Sequence, residues 1–307
     1  MNFYFAPLEG ITDGIFRQLH HKYFPGIHRY YTPFISPTVH RSLTAKEQRE
    51  LSCDQLRLFD LIPQVLTKNS DDFIWMAQQC ADLGYKEINL NLGCPSGTVT
   101  AKGKGSGLLL DLENLDRFLH EIFTNSPIPI SIKTRIGFHS SAEFPRILEI
   151  FNKYPIAELI VHPRVRSAFY SGTVDMNAFK LAADSYTMPL CYNGDITQLA
   201  QIQHLVNEFP CLQSVMIGRG LIADPGMLSP GGTTVSVLRN YHNDLLDHYI
   251  EAFGGSRNAM FRLKEHWQYL IKKFDNSEKL GKRLRKTIDI LEYRQITEEI
   301  FDTLTLL

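Results

Sequence analysis

Short apolar, β-branched or aromatic runs punctuate the chain up to residue 218: FYFA (3–6), RYYTPF (29–34), LIPQVL (61–66), EINLNL (87–92), PISIKT (129–134), ELIVH (158–162), PLCYN (189–193) and SVMIG (214–218). Their length and flanking turn residues predict strands buried on both faces. Between most of them the spacing becomes helical. In DDFIWMAQQCADLG (71–84), Phe73, Met76, Ala77, Cys80 and Ala81 recur on one helical face, and Gly84 stands where a helix would stop. LENLDRFLHEIF (112–123) and EFPRILEIFNKY (143–154) read the same way. Alternating strands and helices pair in parallel through right-handed crossovers. Eight such strands predict an α/β fold, a (β/α)8 TIM barrel, whose usual span is roughly 200 to 250 residues. A doubly wound sheet is the structural rival, and it would normally have fewer strands.

The strand pattern stops after SVMIG. DPGMLSPGG (224–232) reads as a linker, and from Thr233 onward the pattern is helical. Two domains are expected: a barrel over 1–232 and an all-helical domain over 233–307. The charge is divided in the same way. Residues 257–294 carry eleven basic groups against five acids, a surplus of six, while the net charge of the whole chain is −1. An appended module facing a polyanion accounts for this asymmetry, and a solvated helical face is the plain alternative.

With 44% hydrophobic and 21% charged residues, the composition is that of a globular protein in water. No run of 18 apolar residues calls for a membrane span, and the first residues, MNFYFAPLEG, do not read as a signal peptide. Five scattered cysteines predict a reduced, cytoplasmic protein.

Chemistry in such a barrel sits at the C-terminal ends of its strands. Those ends carry Pro7-Leu8-Glu9, Gln64, Asn91 with Cys94, Lys133 with Arg135, His162 with Arg164, Asn193-Gly194-Asp195 and Gly218-Arg219-Gly220. Singly, each has a packing explanation; seven polar strand ends at one rim predict one pocket. The last two loops, NGD and GRG, offer backbone N–H groups and an arginine, which suits a phosphate. GRGLIA is no dinucleotide fingerprint, because no further parallel strand follows it. GKGSG fails the nucleoside-triphosphate loop pattern, since Gly105 stands where Ser or Thr is required.

Cys94, between Gly93 and Pro95, poses a sharper question. Metal binding is disfavoured, because no Cys or His lies at ligand spacing around it. Besides a buried filler, two roles stay open. A thiolate nucleophile needs a base or a positive neighbourhood, whereas a thiol left protonated can give up its proton in a transition state.

APLEGITDGIFR, NLGCP followed by V-x-x-x-G-x-G-S-x-L-L, SIKTRIGF, VHPR with Y-x-G after it, NGDI and MIGRG together resemble the flavin-dependent tRNA-dihydrouridine synthases, in order over residues 3–226. The helical tail resembles that family's RNA-binding domain. The resemblance implies an FMN-containing barrel that reduces the C5–C6 double bond of uridine in tRNA or another folded RNA, with NADPH re-reducing the flavin and no metal. It implies that Pro7, Leu8 and Glu9 lie under the flavin ring, and that Gln64, Lys133 and His162 contact its polar edge. Asn193, Gly194, Asp195, Gly218 and Arg219 would hold the phosphate, Asn91 and Arg135 would orient the uracil, and Cys94 would protonate C5. The glycine-rich loop would open for RNA and close Cys94 over an extruded base, with Lys102 and Lys104 near phosphates. Lys282 and Arg285 stand for the basic tail. The sequence departs from the family at Pro163 and Val165, where His-Gly-Arg-Thr is usual, and at Met176, where tryptophan is common. A free-pyrimidine reductase on the same barrel is the rival enzyme, and a non-catalytic RNA-binding module is the rival of another class.

Overall fold

The computed structural model describes residues 1–38 and 40–307. Among these residues the strands are β1 (Asn2–Phe5), β2 (Arg29–Tyr31), β3 (Asp60–Ile62), β4 (Gln64–Val65), β5 (Ile88–Leu92), β6 (Ile130–Arg135), β7 (Leu159–His162), β8 (Leu190–Tyr192) and β9 (Ser214–Ile217). All pair in parallel within one sheet, in the order β3-β2-β1-β9-β8-β7-β6-β5-β4. The two strands at the ends of that order are neighbours in the chain, separated by Pro63 alone. Proline has no N–H to give to a ladder. The single run expected at 61–66 therefore breaks there, its first half pairing with β2 and its second with β5. The chain itself joins the two edges, and the ring is an eight-staved barrel, as the periodicity predicts.

The helices between strands begin on residues whose side chains accept a free N–H of the first turn. Asn69 caps Ser70–Asp82 and Asp111 caps Leu112–Asn125. The helix expected over 143–154 ends at Phe151, because Pro155 disfavours helical backbone in the residue before it. Outward-facing strand residues such as Ile88, Leu90 and Leu92 are fully buried, which explains why these strands read as unbroken apolar runs.

The barrel interior is polar. Gln64 donates through Nε2 to Asn89 Oδ1 at 2.8 Å, and Asn89 donates to Ser131 Oγ at 2.9 Å. Toward the N-terminal ends, Arg29 pairs with Asp60 at 2.7 Å and Glu87 at 3.1 Å. Burial raises the pKa of both Glu87 and Glu158.

The chain divides into two compact units that interleave along the sequence. One comprises Met1–Pro7, His28–Asp195 and Ile202–Ile217; the other comprises Leu8–Ile27, Ile196–Gln201 and Gly218–Leu307. The second is mainly helical and includes the segments Gly14–Tyr23, Val235–Phe253, Ser256–Leu270, Glu278–Lys286 and Ile290–Thr303. Its core is aromatic: Tyr293 Oη joins His242 Nε2 at 2.8 Å and Trp267 Nε1 at 3.0 Å. The helix Gly14–Tyr23 starts on Asp13, whose Oδ1 accepts from Phe16 N and from Tyr249 Oη. No described helix is long and apolar enough to cross a membrane.

Candidate active site

Register decides which strand-end side chains become neighbours at the barrel mouth. It sets Gln64 beside Asn89, Asn91 beside Lys133, and Arg135 beside His162. Gln64 is buried, and its Oε1 accepts from Asn91 Nδ2 at 2.8 Å. With Nε2 on Asn89, Gln64 holds the Asn91 amide in one orientation. Asn91 Oδ1 then accepts from the backbone N–H of Gly93 at 3.0 Å and of Cys94 at 2.9 Å.

The segment around Cys94 is held at almost every backbone group. The Gly93 carbonyl takes Arg135 Nε at 2.9 Å, and the Pro95 carbonyl takes Arg166 Nε at 3.0 Å. The Cys94 carbonyl takes both the N–H and the hydroxyl of Ser106, the latter at 2.8 Å. The half-buried thiol is carried on a backbone held at each of these points. The glycines that follow serve close packing. Gly105 has φ +58, and a Cβ there would lie 3.0 Å from both Cys94 Cβ and Cys94 O. Gly105→Ala is expected to cost about 1–3 kcal/mol, read by denaturant unfolding. It should cost more than Gly84→Ala, where φ is +92 but a Cβ meets nothing within 4 Å; equal losses would show that contact with Cys94 contributes nothing.

Lys133 lies half-buried between these groups. Burial pushes its pKa down to about 8, Arg135 adds to the shift, and Cys191 and Cys94 oppose it. Arg135 is buried; desolvation and Arg164 bring it down to about 10 against the opposing pull of Tyr170, so it stays charged at neutral pH. Its Nη1 donates to Val165 O at 2.9 Å, and its guanidinium lies 5.4 Å from the Tyr170 ring centre. Buried Arg164 reaches His162 Nε2 at 3.2 Å and ion-pairs with Asp195, while its own Nε is buried without a partner. Asn193 donates to Met216 O at 2.8 Å. Asp195 follows Gly194 with φ +39, a left-handed backbone that non-glycine residues seldom adopt.

Three comparisons with known proteins bear on this geometry. The family model described as "Dihydrouridine synthase (Dus)" matches residues 4–303. The chain belongs to the dihydrouridine synthase family. Relatives include tRNA-dihydrouridine synthase B of Pasteurella multocida, 26% identical over 72% of this chain and 66% of that protein. A probable tRNA-dihydrouridine synthase of Rickettsia conorii is 24% identical over 82% of this chain and 80% of its own. Among solved structures, a morphinone reductase variant in complex with tetrahydroNAD superposes with TM-score 0.54 at 10% identity, over 74% of this chain and 85% of that one. That likeness concerns the barrel alone.

In this dihydrouridine synthase the barrel unit brings Gln64, Asn91, Cys94, Lys133, Arg135 and His162 together at one mouth. Lys102 is exposed and Lys104 half-buried on the loop after Cys94. Pro7 ends the first segment of that unit. Leu8, Glu9, Gly218 and Arg219 belong to the helical unit, where Leu8 N donates to Thr12 Oγ1 at 2.9 Å and Arg262 donates to the Gly10 carbonyl. Gly218 and Arg219 open the short helix Arg219–Ala223 directly after β9.

Of the eleven basic groups in the tail, Arg262, Lys264, Lys273, Arg283 and Arg294 bond within the unit. Arg257, Lys272, Lys279, Lys282, Arg285 and Lys286 have no acidic partner among the described residues. Lys282 and Arg285 are exposed on Glu278–Lys286, whose buried face is Leu280, Gly281 and Leu284. Arg166 and Ser106 were not singled out as site residues; the sequence signals were the serine of the V-x-x-x-G-x-G-S-x-L-L pattern and a second arginine two places beyond Arg164.

Proposed function

We propose that this dihydrouridine synthase reduces the C5–C6 double bond of uridines in tRNA, with FMN as resident cofactor and NADPH as reductant. The observation that carries the reading is the fixed thiol of Cys94 at a barrel mouth lined by Lys133, Arg135 and His162. FMN suits the residues present. The unpartnered Nε of Arg164, beside Asn193-Gly194-Asp195, is a buried donor suited to an anion. Asp195 is neutralised by Arg164 and offers a phosphate its backbone N–H rather than its carboxylate.

Bound FMN supplies the hydride that a C5–C6 double bond must receive at C6. The other contributions belong to the chain. Cys94 holds the proton that C5 takes up, which makes it an acid and no nucleophile. Lys133 stabilises negative charge on the flavin's polar edge, with His162 and Gln64 as the other edge contacts. Asn91 and Arg135 are assigned to the uracil, and both also position Cys94. Pro7, Leu8 and Glu9 are assigned to the flavin ring, and Gly218 and Arg219 to its phosphate. Lys102, Lys104, Lys282 and Arg285 are assigned to RNA phosphates. The six basic groups without acidic partners favour a polyanionic substrate over a free pyrimidine.

Purified protein should be yellow and release FMN on denaturation; a colourless preparation that takes up no added FMN would overturn the reading. Lys282→Glu combined with Arg285→Glu should weaken tRNA binding and reduce the slope of log K against log salt by about 1.5–2. Fluorescence titration at several salt concentrations measures this, and an unchanged slope would make the charged face a merely solvated one.

A further inference from the structure

We propose that Arg166 is a positioning residue for the Cys94 thiol, an inference that rests on the assignment of Cys94 as the acid. Pro95 has no N–H, so the backbone just after Cys94 can be anchored only through its carbonyl. Arg166 provides that anchor. Its Nε donates to Pro95 O at 3.0 Å and its Nη2 to Thr100 Oγ1 at 3.1 Å, so one planar fork spans both sides of the turn that follows the cysteine.

The fork is itself held. Its guanidinium carbon lies 5.0 Å from the ring centre of Phe138 and 5.0 Å from that of Phe169. Arg166 N donates to Gly137 O at 2.9 Å and Ser167 N to Phe138 O at 3.1 Å, which ties the loop after β7 to the loop after β6. Phe169 adopts φ +50. A non-glycine residue rarely takes this conformation, which costs of order 1–3 kcal/mol and is kept where surrounding structure imposes it. Arginine suits this position and lysine does not, because only a planar cation can give two in-plane hydrogen bonds while its faces stack on rings. Arg135 holds the carbonyl of Gly93 on the other side of the cysteine, so the carbonyls of the residues before and after Cys94 are each held by an arginine.

The test uses the flavin-loaded protein and two readouts. In single-turnover reoxidation of the reduced flavin by saturating tRNA, Arg166→Ala should be about 10- to 100-fold slower, the usual cost of a displacement near 1 Å. Reduction by NADPH should stay unchanged. Arg166→Lys should be as slow as alanine, and free guanidinium ion should restore part of the rate to Arg166→Ala only. Thr100→Val, which removes one hydrogen bond of the fork, should give a smaller loss of about threefold. The second readout needs no RNA: alkylation of Cys94 by iodoacetamide, followed by peptide mass and referenced to the exposed thiols of Cys53 and Cys211. In Arg166→Ala the Cys94 rate should change severalfold relative to both references. Full reoxidation rate with an unchanged alkylation ratio would overturn the inference, as would rescue by lysine. If tRNA oxidised no variant and not the native protein, while the alkylation ratio still shifted, the proposed function would fail and the positioning role would stand.

Discussion

Cys94→Ala is expected to keep FMN, to accept hydride from NADPH at the native rate, and to reduce tRNA about 10²–10⁴-fold more slowly, the usual worth of a positioned acid. The structure gives the reason for so clean a division. Asn91 and Ser106 hold the backbone of Cys94, and Arg135 and Arg166 hold the carbonyls of Gly93 and Pro95 beside it; an alanine keeps all four of these bonds. Removing the sulfur should therefore leave the loop in place. A packing role would show as lost stability with turnover per folded molecule nearly intact. A nucleophilic role would make a covalent adduct trappable in the native protein. Stopped-flow reoxidation by tRNA separates these outcomes, and normal reoxidation in the alanine variant would remove Cys94 from the reaction.

Lys133→Met should slow reduction of the bound flavin by NADPH about 10²–10³-fold, the scale on which one donor to a developing anion acts in a dry site. Here a pH dependence follows from burial. Lys133 titrates at about 8 in the folded protein against 10.5 ordinarily. Between those values the unfolded chain binds the extra proton, so the stability of the cofactor-free protein should rise with pH across the window from 8 to 10.5. An anion bound beside Lys133 favours the charged form, so FMN affinity should move the opposite way and weaken as pH climbs above 8. Lys133→Met should abolish both dependences. Titrations of FMN fluorescence and urea unfolding at stepped pH measure them; a native protein whose FMN affinity is flat to pH 10 would place Lys133 away from the flavin.

Periodicity carried the fold because its strands are buried on both faces, and such strands announce themselves as unbroken apolar runs. The one break, at Pro63, follows from proline's missing N–H, and the proline of LIPQVL is its sequence signal. The polar strand ends were legible too, since Gln64, Asn91, Lys133, Arg135 and His162 interrupt apolar runs. What each side chain touches was not. Arg135 was assigned to a base, and the structure shows that it also grips Gly93. Nor was it legible in the glycine-rich stretch that Gly105 is required by its φ and by the nearness of Cys94. Arg166 acts across 71 residues of chain to reach Pro95, and no local pattern reports a contact of that range. Nor does the sequence order reveal that Leu8–Ile27 joins the helical unit.

The most direct test is the mass of tRNA after reaction. Unmodified tRNA transcript, the purified protein, FMN and NADPH are incubated without oxygen, and nuclease fragments are weighed. Fragments in which a uridine has gained two hydrogens are expected, dependent on NADPH and absent with Cys94→Ala. Unchanged tRNA beside rapid oxidation of the reduced flavin by a free pyrimidine would contradict it.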